Sequence, residues 1–254
     1  MVYIGLARYT EIDVKEIISM KPTGVILGDI LCDKRMFPFS GQELNEYINQ
    51  FVQNGIKVIF QTPMYLTDRI FEKVVSTIKY YASKNLIDGV IVQDVGVVNK
   101  IKSSYSDLKV IWGRMGYART PIINASTISF YIECGITGFE CKTVRQANIA
   151  TEMGVDPYLV YGWPAYSTIN RECYYKFENN IFDDTCCCGC LDKNKIMLSS
   201  CKDNAVTIDG YVVGFHAEYI EENRKCNSLK TNLIIYGENI EEIKLRINEL
   251  EGQN

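Results

Sequence analysis

Short apolar segments alternate with amphipathic segments along almost the entire chain, and this alternation limits the possible folds more than any other feature. Several of the apolar segments lack polar residues, as is typical of parallel strands that are buried on both faces. The predicted strands are Val2–Leu6, Gly24–Leu27, Lys57–Gln61, Asp88–Gln93, Leu108–Trp112, Gly135–Glu140, Tyr158–Tyr161 and Asn232–Tyr236. Strict alternation of these strands with helices predicts an α/β fold, a (β/α) TIM-like barrel, with an open doubly wound sheet as the alternative.

Amphipathic segments between the strands supply the predicted helices, because their apolar residues recur at the spacing of one helix face. These segments are Gln42–Gln53, Arg69–Tyr80 and Asn239–Leu250. Ser40 and Glu43 have the spacing of a capping box, and Gly55 and Gly154 suit helix C-caps.

The alternation fades between about Pro164 and Lys230, which we interpret as a cysteine-rich insertion before the last strand. The insertion contains a predicted strand–turn–strand unit, Ala205–Tyr219, that turns at Asp209-Gly210. A length of 254 residues suits one barrel, so we predict a single domain over residues 1–254.

Charge and hydropathy exclude several classes of partner. The net charge is −4 and the pI is about 5.3, so the basic surface that nucleic-acid binding requires is not expected. No apolar run approaches the roughly 18 residues of a membrane span. The N-terminus begins with a strand-like run and lacks the basic region of a signal peptide, so we predict a cytoplasmic protein.

Polar and cysteine side chains follow the predicted strands, where TIM-like barrels carry their chemistry. They include Asp29, Cys32, Gln61, Thr62, Asp94, Arg114, Glu140, Cys141 and Cys173. Asp94 and Arg114 are the candidate substrate-binding residues, since arginine can bind a carboxylate-bearing ligand bidentately. The alternative is that Asp94 caps the following helix and Arg114 makes a structural ion pair.

Ten cysteines are many for a reducing compartment, where disulfides are disfavoured, and indicate metal or redox chemistry. Three of them form the pattern Cys173-x12-Cys186-x3-Cys190, and Cys32 follows a distant strand at the same rim of the predicted barrel. Four thiolates of this kind are the usual ligands of an iron–sulfur cluster.

Other interpretations of the cysteines stay open. Structural zinc also takes four cysteines, and a redox dithiol is possible within the run from Cys186 to Cys190. Cys187 or Cys188 could replace Cys186 as the middle ligand. Cys134 and Cys141 are predicted to be buried free thiols.

Three parts of the sequence resemble a known family. They are the segment Val25–Arg35 with the following Phe39–Leu44, the segment Tyr158–Ser167 that continues to Cys173, and the cysteine spacing itself. Together they resemble the collagenase-like peptidase superfamily, the unassigned peptidase family thirty-two, and within it the UbiV-like proteins of anaerobic ubiquinone biosynthesis. Asn180 replaces the cysteine that UbiU-like members carry at this point.

The resemblance implies a barrel-like fold and a 4Fe-4S cluster held by Cys32, Cys173, Cys186 and Cys190. It also implies oxygen-independent hydroxylation of a small-molecule substrate, in a heterodimer with a homologous UbiU-like partner. Relatives hydroxylate RNA bases, with prephenate implicated as the oxygen source, and other relatives are described as peptidases.

Two alternative functions remain, a peptidase of the collagenase-like family and a zinc-stabilised, non-catalytic binding protein. The sequence has no His-Glu-x-x-His zinc site and no Gly-x-Ser-x-Gly nucleophile motif. A cysteine–histidine pair would have to use His216, the chain's one histidine, and a lone histidine in a strand-like run is more often structural.

Overall fold

The structure is a computed structural model that describes residues 1–6, 13–29, 41–64, 66–113, 124–161, 180, 231–237 and 239–250 with their side chains. It describes the backbone of residues 165–169, 196–198, 206–209, 212–215 and 251 as well.

Eight parallel strands form a closed barrel in the order β1-β12-β7-β6-β5-β4-β3-β2. They are β1 Val2–Gly5, β2 Gly24–Leu27, β3 Lys57–Gln61, β4 Gly89–Val92, β5 Lys109–Trp112, β6 Gly138–Cys141, β7 Asp156–Tyr161 and β12 Asn232–Tyr236. The last barrel strand pairs with the first, and Gly5 lies opposite Tyr236 in this register. The predicted TIM-like barrel is therefore confirmed, and the open sheet is wrong.

Helices follow the barrel strands. They are α1 Val14–Ser19, α2 Gly41–Gln53, α3 Asp68–Ser83, α4 Val95–Lys102, α5 Ala125–Glu133, α6 Val144–Glu152 and α7 Ile240–Glu251. The three predicted helices are confirmed as α2, α3 and α7, each within a few residues of its predicted ends. No bounds were predicted for the other four helices, which have six to nine residues each, although a helix after Asp94 and one ending before Gly154 were expected.

The sixth strand begins later than the sequence predicts. Gly135 was predicted as its first residue, but the strand starts at Gly138. Gly135 instead lies in the turn after α5 with a φ of +96°, and its N–H bonds to the carbonyl of Ile132. A left-handed φ at glycine ends helices without steric cost, which explains the difference.

Side chains alternate between two packed regions along every barrel strand, as the twofold period of strands requires. One set packs between the barrel and the helices, and β3 contributes Val58 and Phe60 to it. The other set fills the barrel interior with nine buried side chains. These are Tyr3, Ile26, Ile59, Ile91, Ile111, Tyr158, Val160, Ile234 and Tyr236.

A second, four-stranded antiparallel sheet comes from the sequence between β7 and β12. Its strands are β8 Ala165–Ile169, β9 Ile196–Leu198, β10 Val206–Asp209 and β11 Val212–Phe215, in the order β8-β11-β10-β9. The predicted strand pair is confirmed as β10 and β11, whereas β8 and β9 were not predicted. The single-domain prediction for the whole chain is not tested by this topology.

None of the helices within the described ranges combines the length and the apolar character that crossing a membrane requires.

Gly28 is required by the backbone at the end of β2. It has a φ of +119°, and a Cβ atom there would lie 2.3 Å from the carbonyl oxygen of Gln61. We expect Gly28→Ala to lower the free energy of unfolding by at least about 2 kcal/mol, because strained φ and a backbone clash act together. Denaturant unfolding followed by circular dichroism measures this change.

Gly41→Ala is the matched control. Gly41 opens α2, and a Cβ atom there meets no described atom within 4 Å. We expect this variant to be as stable as the wild type or more stable, since alanine favours helices. Equal losses in the two variants would contradict the assignment of a special backbone role to Gly28.

Candidate functional site

Asp94 is the one predicted site residue that the structure describes. It is the N-cap of α4, and its Oδ1 accepts hydrogen bonds from the backbone N–H groups of Gly96 at 2.6 Å and Val97 at 3.3 Å. The capping alternative is thus confirmed, and substrate binding by Asp94 stays a prediction. Arg114 and the predicted cluster ligands lie outside the described residues; these ligands are Cys32, Cys173, Cys186 and Cys190.

Four buried polar side chains lie inside the C-terminal end of the barrel, and we call them the polar layer. They are Gln61, Gln93, Glu140 and Tyr236, with exposed fractions of 0%, 7%, 0% and 2%. Gln61, Gln93 and Tyr236 each lie two residues after an inward-facing isoleucine, as Gln61 follows Ile59. Glu140 lies two residues after Gly138, where a Cβ atom would meet the inward-facing ring of Tyr158. The twofold period of a strand therefore directs these side chains into the barrel.

Tyr236 contacts side chains of two strands that are not neighbours in the barrel, β3 and β6. Its hydroxyl Oη lies 3.4 Å from Oε1 of Gln61 and 3.4 Å from Oε1 of Glu140. Both distances are long for O–H···O hydrogen bonds, whose usual length is about 2.7–2.8 Å. A tyrosine hydroxyl carries one proton, so it can donate to only one of these acceptors at a time.

Two glycines make room for the polar layer. A Cβ atom at Gly5 would lie 2.1 Å from the ring of Tyr236, and a Cβ atom at Gly113 would lie 1.6 Å from the amide of Gln93. Larger residues at either position would displace the polar side chain. The sequence thus reserves space for Tyr236 and Gln93 at this end of the barrel.

The last helix holds β12 from outside. The Arg246 guanidinium donates to the backbone carbonyl of Tyr236 and also pairs with the carboxylate of Glu242. In addition, the hydroxyl of Tyr161 on β7 donates to Glu249 Oε2 at 3.0 Å. These contacts attach α7 to the C-terminal ends of β12 and β7.

The sequence identified part of the polar layer. Gln61 and Glu140 are among the polar residues expected at the strand ends, and the structure buries both inside the barrel. Tyr236 was missed as a site residue, because it ends a predicted strand and a tyrosine there resembles core packing. The signal that would have found it is its inward position, two residues after Ile234.

Cys141 is buried in the layer between the barrel and the helices, as predicted. Burial raises the pKa of its thiol to about 12, and Sγ donates to the carbonyl of Phe139 at 3.4 Å. A thiol that keeps its proton is a poor metal ligand, because metals bind the thiolate.

Cys134 is a free thiol as predicted but is only partly buried, at the C-cap of α5. Within the described ranges, no group of three or more His, Cys, Asp or Glu side chains is arranged to hold a metal ion.

The sequence model of "Peptidase family U32" matches residues 12–156, which is more than half of the chain. The chain belongs to peptidase family U32. The matched part of this U32 protein contains β2 to β6, and with them Gln61, Gln93 and Glu140 of the polar layer.

Solved structures share the barrel of this U32 protein. The U32 peptidase Mk0906 has 14% sequence identity and a TM-score of 0.54, over 94% of this chain and 92% of that one. A protein from Galdieria sulphuraria described as a glycerophosphodiester phosphodiesterase has 10% identity and the same TM-score of 0.54, over 98% and 97% of the two chains. At such identities these likenesses show the fold alone. Comparison with curated proteins finds no match.

We expect Asp94→Ala to lower the free energy of unfolding by about 1 kcal/mol, because two backbone N–H groups lose their acceptor. Asp94→Asn should keep most of the stability, since an amide oxygen can accept the same bonds. If Asp94 also binds substrate through its charge, Asp94→Asn will bind substrate more weakly while staying as stable as the wild type. Urea unfolding and substrate binding of the same two variants separate the two roles.

Thr67→Ala serves as the control for the cap. Thr67 is the N-cap of α3, but its side chain makes no capping hydrogen bond. If Thr67→Ala lowers the free energy of unfolding as much as Asp94→Ala does, the hydrogen bonds of Asp94 add no stability of their own.

Proposed function

We propose that this U32 protein carries a 4Fe-4S cluster and takes part in oxygen-independent hydroxylation, as one subunit of a complex with a homologous UbiU-like protein. The proposed ligands are Cys32, Cys173, Cys186 and Cys190. The observation that supports this proposal most is the position of β2, because Cys32 follows its C-terminal end by five residues. Five residues span at most about 18 Å, so a ligand at this point of the sequence is within reach of the barrel mouth where the polar layer lies.

The chemistry of the available donors fits the cluster. Of the ten cysteines, Cys141 is unsuited because its pKa is raised to about 12 by burial. Cys134 belongs to no group of three or more metal-ligating side chains among the described residues. Eight cysteines then remain, among them the four proposed ligands, and soft thiolates of this number suit iron–sulfur chemistry. When bound, the cluster would supply one-electron transfer.

The residues of the chain itself would bind and orient the substrate. The interior below the polar layer is filled by apolar and aromatic side chains, such as Ile26 and Ile91, so a ligand would enter from the C-terminal side. Arg114 would hold a carboxylate of the ligand, as guanidinium groups do in bidentate pairs. Burial of Gln61 and Glu140 keeps bulk water away from the inner end of the site.

Peptide hydrolysis is the second candidate, and family membership favours it. The family carries the name of a peptidase, and Glu140 is a buried carboxylate that could take a proton from water at the barrel mouth. This candidate requires peptide cleavage that depends on Glu140 and does not depend on iron.

The test is metal analysis of protein purified without oxygen, as wild type and as single alanine variants at the four proposed ligands. We expect about four irons and four sulfides per wild-type chain, with the visible absorption of a cluster lost in each variant. Hydroxylated product and a co-purifying homologous protein would then be sought in the same preparations by mass spectrometry.

Cys134→Ala is the control, and it should retain the iron and sulfide of the wild type. Zinc without iron after anaerobic reconstitution, or full iron content in all four ligand variants, would refute the proposed cluster. Cleavage of peptides by the iron-free wild type, abolished in Glu140→Gln, would favour the peptidase instead.

A further inference from the structure

The side-chain amide of Gln61 is buried, and its nitrogen makes no hydrogen bond. Gln61 is 0% exposed, and its Nε2 has no hydrogen-bond partner among the residues that the structure describes. An unsatisfied buried donor destabilises the folded state. A ligand or an ordered water can supply the missing partner.

The amide oxygen of Gln61 competes with Glu140 for the hydroxyl proton of Tyr236. Gln61 Oε1 and the carboxylate of Glu140 both face the single hydroxyl proton of Tyr236, at 3.4 Å each. A carboxylate is the stronger acceptor, so the tyrosine proton favours Glu140. Both the Nε2 donor and the Oε1 acceptor of Gln61 then lack a hydrogen-bond partner.

This pairing requirement selects the chemical class of the partner. Turning the amide over exchanges Nε2 and Oε1, so the partner must be able to accept or to donate. A carboxylate ligand has no proton to donate and would meet the charge of Glu140, and an ammonium group has no lone pair to accept with. A neutral hydroxyl or amide group satisfies Gln61 in both orientations.

We infer that the polar layer is a binding subsite for a neutral hydroxyl or amide group of a small organic ligand. Gln61 makes the direct contact, and Tyr236 is a positioning residue that orients the Gln61 amide together with Glu140. The aliphatic interior beneath Gln61 forms the floor of the subsite. The inference does not depend on the proposed cluster, because binding here requires only the described side chains.

The experiment titrates benzamide and benzyl alcohol, as neutral probes, into protein purified without oxygen, with binding followed by calorimetry and ligand-observed NMR. We expect both probes to bind the wild type, and Gln61→Met to weaken the affinity at least about tenfold, since it removes the hydrogen-bonding atoms and keeps the length of the side chain. Gln61→Met should also unfold at the wild-type temperature or above, because it removes an unsatisfied buried amide.

Tyr236→Phe and Tyr158→Phe form a matched pair of controls, as each removes one hydroxyl from a buried tyrosine of the barrel interior. Tyr236→Phe should weaken probe binding several-fold, whereas Tyr158→Phe, outside the polar layer, should bind as the wild type does. These conservative variants also serve if Gln61→Met fails to fold. Iron content is measured on the same samples, so a failure of the cluster proposal is distinguished from a failure of this one.

Three results would overturn the inference. The first is a wild type that binds neither probe, which would leave an ordered water as the partner of Gln61. The second is equal affinity in the wild type and Gln61→Met. The third is a Tyr158→Phe variant that loses as much affinity as Tyr236→Phe, which would indicate a general effect of core hydroxyls.

Discussion

The pairing of β1 with β12 is the contact on which the rest of this structure depends. These strands come from opposite ends of the chain, and their register places Gly5 against Tyr236. The glycine leaves the space that the tyrosine ring fills, and Arg246 on α7 holds the carbonyl of the same tyrosine from outside. Barrel closure and the assembly of the polar layer therefore depend on the same strand register. A shift in this register would move the Tyr236 hydroxyl away from Gln61 and Glu140.

The barrel interior has two chemically different halves. Toward the N-terminal end of the strands, packing is dominated by apolar and aromatic contacts, including the edge-to-face pair of Tyr3 and Tyr158. Toward the C-terminal end, polar side chains replace them at positions with the same inward orientation. Burying an amide and a carboxylate costs stability unless every group is paired, so the asymmetry is best explained by function at the C-terminal mouth.

Much of the barrel follows from the sequence because buried parallel strands are apolar throughout. β2, β3 and β12 have the predicted bounds. The sequence did not show the bounds of the short helix α1 or the start of β6, because tertiary packing sets the first and the left-handed turn at Gly135 sets the second. Gln61 and Glu140 were recognisable from their position after apolar runs. Tyr236 was not, because its role arises from contacts with residues far away in sequence.

Membership of family U32 is shown by sequence, and the barrel brings buried polar groups together at the C-terminal end of its strands. We propose that a 4Fe-4S cluster lies at this mouth. Anomalous diffraction at the iron edge, from crystals grown without oxygen, tests it most directly. The account predicts an iron signal at the C-terminal end of the strands, on the side of Glu140 and Tyr236, with the iron bonded to Cys32. A signal at the zinc edge alone, or iron bound away from that mouth, would contradict it.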